Sequence, residues 1–393
     1  MTSETSESQK ELELRELQDE VNAKQKFVSK LEYLTNAAKL SGRSPLDISK
    51  EQKQLERAAG RLQFFEYMDY ELFDDAKYTL DEKRRFVGNH LRHDIANIAN
   101  DRTWEQAFGN KIIAGAILEN GGIEAPDTLA VISAREQSFG QAETVSTPDA
   151  LKRFLDRNAS APLFCKAADA SLSAGIFRID RHDDGHVYLH GHDPVSYSDL
   201  FTDFISDESY LVQRNLTNHP AMLPYVTALS CVRLFNLWTD DVLTTPVAVL
   251  RLAQGDSISD IRRFDGNLAC DIDPKTGEVM SLVSFGTSTE RLDDHPTVSG
   301  LVGMTLPHWD ALLEMNRRVA HLTRPMRMQS PDYALTEDGP VCVEVNARGG
   351  FVVLQESTMR GLMTEEFGAF LRSLGMDPEA IAPKPGWFRS KKR

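Results

Sequence analysis

The stretch from Pro331 to Asn346 constrains this chain more than any other. Pro331-Asp332-Tyr333-Ala334-Leu335 and Val341-Cys342-Val343-Glu344-Val345-Asn346 flank Glu337-Asp338-Gly339-Pro340, and an Asp-Gly turn between alternating runs predicts a β-hairpin. A hairpin symmetric about Asp338 pairs Leu335 with Val341 and sets Asp332 opposite Glu344, within about 5 Å at Cβ. Period-two alternation brings Asn346 to the same face and puts Tyr333, Leu335, Val341, Val343 and Val345 on the apolar one. Two carboxylates that close repel unless one is protonated or a cation lies between them, and hard oxygen ligands of this kind suit Mg²⁺ bridging phosphates. Asp332, Glu344 and Asn346 are therefore candidate metal ligands. The alternative is a polar strand face turned to solvent with no metal.

Charge narrows the partners. A net charge of −15 over 393 residues argues against nucleic acid, which needs a basic stripe; the only terminal basic cluster is Arg389-Ser390-Lys391-Lys392-Arg393, read as a solvated tail. With 41% hydrophobic and 26% charged residues the chain reads as globular and large enough for two or three domains. Cys165, Cys231, Cys270 and Cys342 are far apart in apolar stretches and form no Cys-x-x-Cys pair, which fits buried free thiols in a reducing compartment. No run of about 18 apolar residues occurs, and the N-terminus is polar and acidic, so a soluble cytoplasmic protein without a membrane span is expected.

The first hundred residues read as helical. Leu14, Leu17, Val21, Val28 and Leu31 recur at three- and four-residue steps, the stripe of an amphipathic helix over 11–40. Two readings stand for it, a coiled-coil homodimer or packing on its own domain, because Lys24 and Thr35 interrupt the heptad. Ser41-Gly42-Arg43-Ser44-Pro45 breaks the pattern. A second helix is expected from Ser49 through Tyr67, and a third begins at Thr79 with Glu82 completing a capping box.

Beyond Asn110 the texture changes to short β runs with helices between them. Lys111 to Glu119 reads as a helix closed by Gly121-Gly122, and Thr128–Ser133, Leu163–Ala167 and Ile176–Ile179 as strands. Lys166 leads into Asp169-Ala170-Ser171-Leu172-Ser173-Ala174-Gly175, a loop of small residues. Such a loop lets backbone N–H groups approach an anion, and the lysine can neutralise phosphate oxygens; the bland reading is a lysine at a strand edge. It is not a Walker P-loop. Further strands are expected at Tyr210–Gln213, Ser230–Trp238, Pro246–Leu252, Leu268–Ile272 and Val279–Phe285. Arg233 and Arg251 sit among apolar neighbours, and a guanidinium there needs an anionic partner, either a structural carboxylate or a substrate. Thr287 to Gly300 reads as a long polar loop, with His295 a loop constraint. His182, His186, His190 and His192 mimic zinc spacing but read better as an exposed polar hairpin.

Taken together, Asn110-Lys111, Lys166 with its Ser-Leu-Ser-Ala-Gly loop, and Asp332 with Glu344-Val345-Asn346 resemble the ATP-grasp superfamily. The likeness is to its sugar-transfer-associated branch and runs from Phe65 to Leu362, including His219-Pro220, Cys231-Val232-Arg233 and Pro307-His308-Trp309-Asp310. The most specific stretch is Asp338 to Gly350. The resemblance implies an α+β fold in which two α+β subdomains clamp ATP, with an N-terminal helical region in place of the usual leading domain. The expected division is 1–105 helical region, 106–215 first subdomain with phosphate lid, 216–375 second subdomain with metal site, and 376–393 basic tail. By the same resemblance Lys111 and Lys166 contact the phosphates, the loop with Ser171, Ser173 and Gly175 covers them, and backbone at Leu211, Gln213 and Arg214 holds adenine. Asp332, Glu344 and Asn346 hold Mg²⁺, two ions in the family, while Arg233, Arg251 and Arg348 steady the acyl phosphate and the developing oxyanion.

The implied activity is ADP-forming carboxylate–amine ligation through an acyl phosphate, joining an amino acid to a sugar, peptide or cell-surface precursor. Phosphorylation of a small-molecule hydroxyl is the competing reading, and a non-catalytic nucleotide-binding scaffold a third. Departures exist. The lid loop has Gly175 as its one glycine, Gly349-Gly350 stands where Pro-Gly is common, and Arg262-Arg263-Phe264-Asp265-Gly266 replaces a usual Asp-Asn pair.

Overall fold

Two antiparallel-rich sheets of seven strands each carry the fold. The structure, a computed structural model, describes residues 30–135, 138–158, 160–169, 175–260, 266–286 and 288–378. Much of the 11–40 stripe and nearly all of the basic tail lie outside these residues, as do Ser171, Ser173 and the Arg262-Arg263 pair.

Among the described residues seven helices come first: α1 Lys30–Ser41, α2 Pro45–Glu56, α3 Phe64–Asp69, α4 Leu80–Lys83, α5 Asn89–Ala99, α6 Arg102–Gly109 and α7 Lys111–Asn120. The second helix departs from expectation at both ends. Ser44 caps it, accepting from the Asp47 N–H, and Pro45 supplies the first helical φ, so a segment read as a breaker is a helix start. The helix stops at Glu56, where the chain turns so that Gly60 can lie against the Phe86 carbonyl; a Cβ there would sit 1.9 Å from that oxygen. The Thr79–Glu82 capping box forms, but its helix is only four residues long.

Sheet one runs β2 Glu143–Val145, β1 Thr128–Ile132, β7 Tyr210–Arg214, β3 Leu163–Ala167, β4 Ile176–His182, β5 His186–Leu189 and β6 Val195–Ser196. Its core face is built on Cys165, Phe177, Val187 and Val212 and is closed by α8 Pro148–Asn158 together with the helical turn Leu200–Ile205. Alternation sends Lys166 to the opposite face, where Leu211, Val131 and Ala168 meet Ile112 of α7. The same helix turns Ala114 and Leu118 into the core of sheet two. One short helix is thus wedged between both sheets.

Sheet two runs β12 Thr289–Leu292, β11 Val279–Phe285, β10 Leu268–Ile272, β9 Val242–Leu252, β8 Cys231–Thr239, β13 Met328–Thr336 and β14 Gly339–Asn346. The helix Trp309–Leu322 covers one face and Phe351–Thr358 with Glu365–Ser373 covers part of the other. Strand β12 lies within the stretch expected to be a polar loop; it forms because Thr289 to Leu292 find Leu282 to Phe285 as an edge partner. Its polar, exposed residues suit an outer strand.

Candidate functional site

The hairpin sets Asp332 against Glu344 and Ser330 against Asn346, but by another route than symmetry. Thr336 pairs with Gly339, so the loop is Glu337-Asp338 and Leu335 meets Pro340 rather than Val341. A bulge between Asp332 and Tyr333 then restores the register. The extra residue reverses the alternation, which puts Cys342 and Val345 into the core and leaves Val341 and Val343 only half-buried. The expected apolar face therefore holds for Tyr333, Leu335 and Val345 but not for the other two valines.

Asp332 is also met by arginines of the same sheet. Asp332 is 3% exposed and is held by Arg233, whose Nε and Nη2 each donate at 2.6 Å. Arg251 Nη2 adds a contact at 3.1 Å and Asn346 Nδ2 another at 3.2 Å. The cations beside the acidic pair are guanidinium groups of neighbouring strands: Arg233 is directly opposite Asp332 in the ladder. These arginines outweigh burial and keep the Asp332 carboxyl below the usual range, so it is ionised. The three candidate ligands differ in how far the protein itself occupies them. The Glu344 side chain accepts no hydrogen bond among the described residues, and Asn346 uses only its amide N–H groups, to Ser330 O and Asp332.

Arg251 also meets Asp260, at 3.2 Å, and Asp260 accepts from the Cys231 N–H. Burial raises the Asp260 carboxyl above its ordinary value despite Arg251. Asp332 and Asp260 shift oppositely because Asp332 has two arginines in contact and Asp260 one. Sequence reasoning missed Asp260. It lies in a loop between β9 and β10, and no local pattern marks it.

Lys166 joins this group from the other sheet. Only 8% exposed, it is pulled below the ordinary lysine value first by burial; Glu344 opposes that shift and Lys111 adds to it. Lys111 begins α7, whose cap is Asn110 accepting from Ile112 and Ile113 N–H, while Lys111 N–H donates to Ala168 O at 2.9 Å. Helix start and strand lysine are thereby fastened together. Lys111, Lys166, Glu344, Asp332, Asn346, Arg233 and Arg251 share one neighbourhood.

Other expected residues fall elsewhere. Leu211 and Gln213 lie in mid-sheet with β1 and β3 on either side, so their backbone polar groups are committed to the ladders and not to a base. The Gln213 side chain is likewise occupied, donating to Thr128 Oγ1 at 3.0 Å. Arg214, at the strand end, is exposed. Arg348 does not join Arg233 and Arg251; it pairs with Glu105 at 2.8 Å and reaches His93 and Asn97 on α5. Gly175 has φ +65° and its carbonyl accepts from Ala167 N–H at 2.9 Å, which fixes the far end of the expected lid.

The histidine hairpin is β4–β5, where His190 and Arg178 share Asp180 and His182 meets the Tyr197 hydroxyl. Among the described residues no cluster of three or more His, Cys, Asp or Glu is placed to hold a metal. All four cysteines are free and buried. No helix among the described residues is long and apolar enough to cross a membrane.

Residues 90–368 match the sugar-transfer associated ATP-grasp family, more than half of the chain. No curated protein sequence matches. Among solved structures the chain is similar to VanG D-Ala:D-Ser ligase from Enterococcus faecalis, at 13% identity and TM-score 0.41, over 72% of this chain and 62% of that one. It is similar also to D-alanyl-alanine synthetase A from Vibrio cholerae, at 14% identity and TM-score 0.41, over 68% and 66%. D-cycloserine synthetase DcsG gives 13% identity and TM-score 0.39, over 74% and 77%. The chain thus spans under two thirds of the first two.

Proposed function

The chain belongs to the sugar-transfer associated ATP-grasp family, and from that premise we propose that it is an ADP-forming ligase joining a carboxylate to an amine through an acyl phosphate. What supports this reading is the placement of Lys166: buried on sheet one, away from that sheet's core, it has Glu344 of sheet two as the acidic charge that acts on it. A buried cation near a carboxylate with open oxygens, beside two further arginines, is what a triphosphate and its counter-ion require. ATP is the nucleotide in this reading. Mg²⁺ would be held by Glu344 and the Asn346 amide oxygen, and by Asp332 to the extent that its arginines yield an oxygen. The ion, when bound, supplies charge neutralisation on phosphate oxygens.

The chain's own residues divide the remaining work. Lys166 and Lys111 offset charge on the transferred phosphoryl group as a substrate carboxylate attacks it. Arg233 and Arg251, fixed by Asp332 and Asp260, present N–H groups toward the acyl phosphate and the oxyanion formed when the amine displaces phosphate. Base contacts fall to Arg214 and the chain leaving β7, since the strand itself is committed. The proposed partition at 106–215 and 216–375 follows the two sheets, and an amino acid joined to a sugar, peptide or cell-surface precursor is the substrate class to screen first.

Hydroxylamine added with ATP, Mg²⁺ and single carboxylates should trap a hydroxamate with matching ADP release. A phosphorylated product without hydroxamate would replace ligation by phosphotransfer to a hydroxyl.

A further inference from the structure

Helix α5 and the segment after β14 bring three basic side chains together close to Asn346. His93 Nδ1 lies 3.1 Å from Arg348 Nη1, and His93 Nε2 lies 3.3 Å from Arg92 Nη2. A neutral imidazole offers one lone pair and a protonated one none. At least one guanidinium N–H therefore faces another N–H instead of an acceptor. Burial, then Arg92 and Arg348, pull the His93 ring below its ordinary value, so the neutral form with one mismatch prevails near pH 7.

Neighbouring acids do not relieve this. Arg92 makes its other bonds to neutral acceptors, Asn89 Oδ1 at 2.9 Å and Arg348 O at 3.3 Å, and forms no ion pair among the described residues. Glu66 is occupied by the Gln63 and Asn89 N–H groups, and Asp94 by Arg61. Among the described residues Glu105 makes its ion pair with Arg348 and also accepts from Asn100 Nδ2 at 3.3 Å, which leaves Arg92 in excess. Beside Arg348 opens a cavity of about 370 Å³ lined by Asn97, Asn100, Arg102, Glu105 and Arg348. His93 itself is exposed.

We propose that Arg92, His93 and Arg348, with this cavity, form an anion subsite that receives a carboxylate or phosphate group of the molecule presented to the cleft. An anion oxygen would accept the N–H groups that now face each other. The subsite is well placed for this, because Arg348 follows Asn346 by two residues, and Gly350 runs so close to Arg233 that a Cβ would stand 2.7 Å from its Nη1. The helical region is then part of the substrate site and not only a wall. The identity of the arriving molecule rests on the ligase reading; anion capture itself does not.

Inorganic phosphate is the probe, titrated into the full chain saturated with ADP and Mg²⁺, with histidine ring resonances followed by NMR and His93 assigned by His93→Gln. The His93 signal should move saturably toward the protonated position, since an added anion favours the charged ring. Arg92→Gln should weaken that response about tenfold, with an unchanged unfolding midpoint and unchanged ADP affinity. Arg348→Gln should weaken it similarly. Lys166→Ala should lose ADP binding, and in a separate titration without nucleotide it should keep the phosphate response, which separates failure of the nucleotide reading from failure of the subsite. A His93 signal indifferent to phosphate, or one equally responsive in both arginine variants, overturns the proposal.

Discussion

Two groups of buried charge, each with two acids and two bases, behave differently in this protein. In the helical region Glu51 joins Arg43 and Lys83, and both bases also reach Asp75. In sheet two Asp332 joins Arg233 and Arg251, and Arg251 also reaches Asp260. The first group links α2 to the segments around α4, its Asp75 side chain is mostly exposed, and the Tyr67 hydroxyl completes Glu51 at 2.6 Å. Every charge there is answered from within. The second sits on adjacent strands with Glu344 and Lys166 alongside, and the Arg251 Nε has no acceptor among the described residues. Balanced charge welds a helical region; charge with unused donors and open carboxylate oxygens prepares a site for something else.

Substitution tests that contrast most sharply at Glu344. Glu344→Gln keeps size but removes the negative charge, so ADP formation should fall about 10²–10³-fold while the unfolding midpoint stays put. Undiminished turnover would remove Glu344 from the reaction and reduce both groups to scaffolding. The next effect is on stability. Lys83→Met leaves Glu51 and Asp75 partly unanswered, and Asp332→Asn leaves two buried guanidinium groups to Asp260; each should cost about 3–5 kcal/mol in denaturant unfolding. Asp332→Asn should in addition lose ADP formation, whereas Lys83→Met at a permissive temperature should keep it. Equal loss of activity in both would erase the distinction between weld and site.

Much of this site is legible from residues because strands declare themselves by alternation. Leu163–Ala167 is found as read, and Lys166 has no choice of face once Cys165 and Leu163 take the core. Asp332 and Glu344 do meet, though only because a bulge restores the register that the actual turn would have shifted. The bulge at that point is invisible beforehand, because the Asp-Gly signal fixes that a turn exists but not whether Gly339 lies in the loop or pairs with Thr336. Arg348 is misplaced by sequence reasoning for a different reason. Its spacing after Asn346 puts it near the site, but its direction is set by Glu105 and α5, some 240 positions away in the chain. Long-range partners of loop arginines leave no periodic trace. Asp260 is missed on the same grounds, since its partner Arg251 is known only once β9 and the loop are folded together.

A smaller effect probes the weld alone. Tyr67→Phe removes one hydrogen bond to an ionised acceptor, which should cost about 1.5 kcal/mol and leave ADP formation untouched. A larger loss would mean that the Glu51 group depends on that hydroxyl more than on its two bases.

Lys166 gives the finest discrimination, because its charge is held in place against its own solvation. Burial lowers its folded value below the ordinary lysine value, with Glu344 only partly opposing. The sign follows from linkage: between the lowered folded value and the ordinary value the unfolded chain binds more protons, so raising the pH through that window stabilises the protein. Lys166→Met should abolish this slope and raise stability by about 1 kcal/mol below the window, the reverse of Lys83→Met, while eliminating nucleotide binding. A site lysine is strained and a weld lysine is not. Should Lys166→Met destabilise instead, Glu344 already satisfies Lys166 fully, and the cleft would be a second weld.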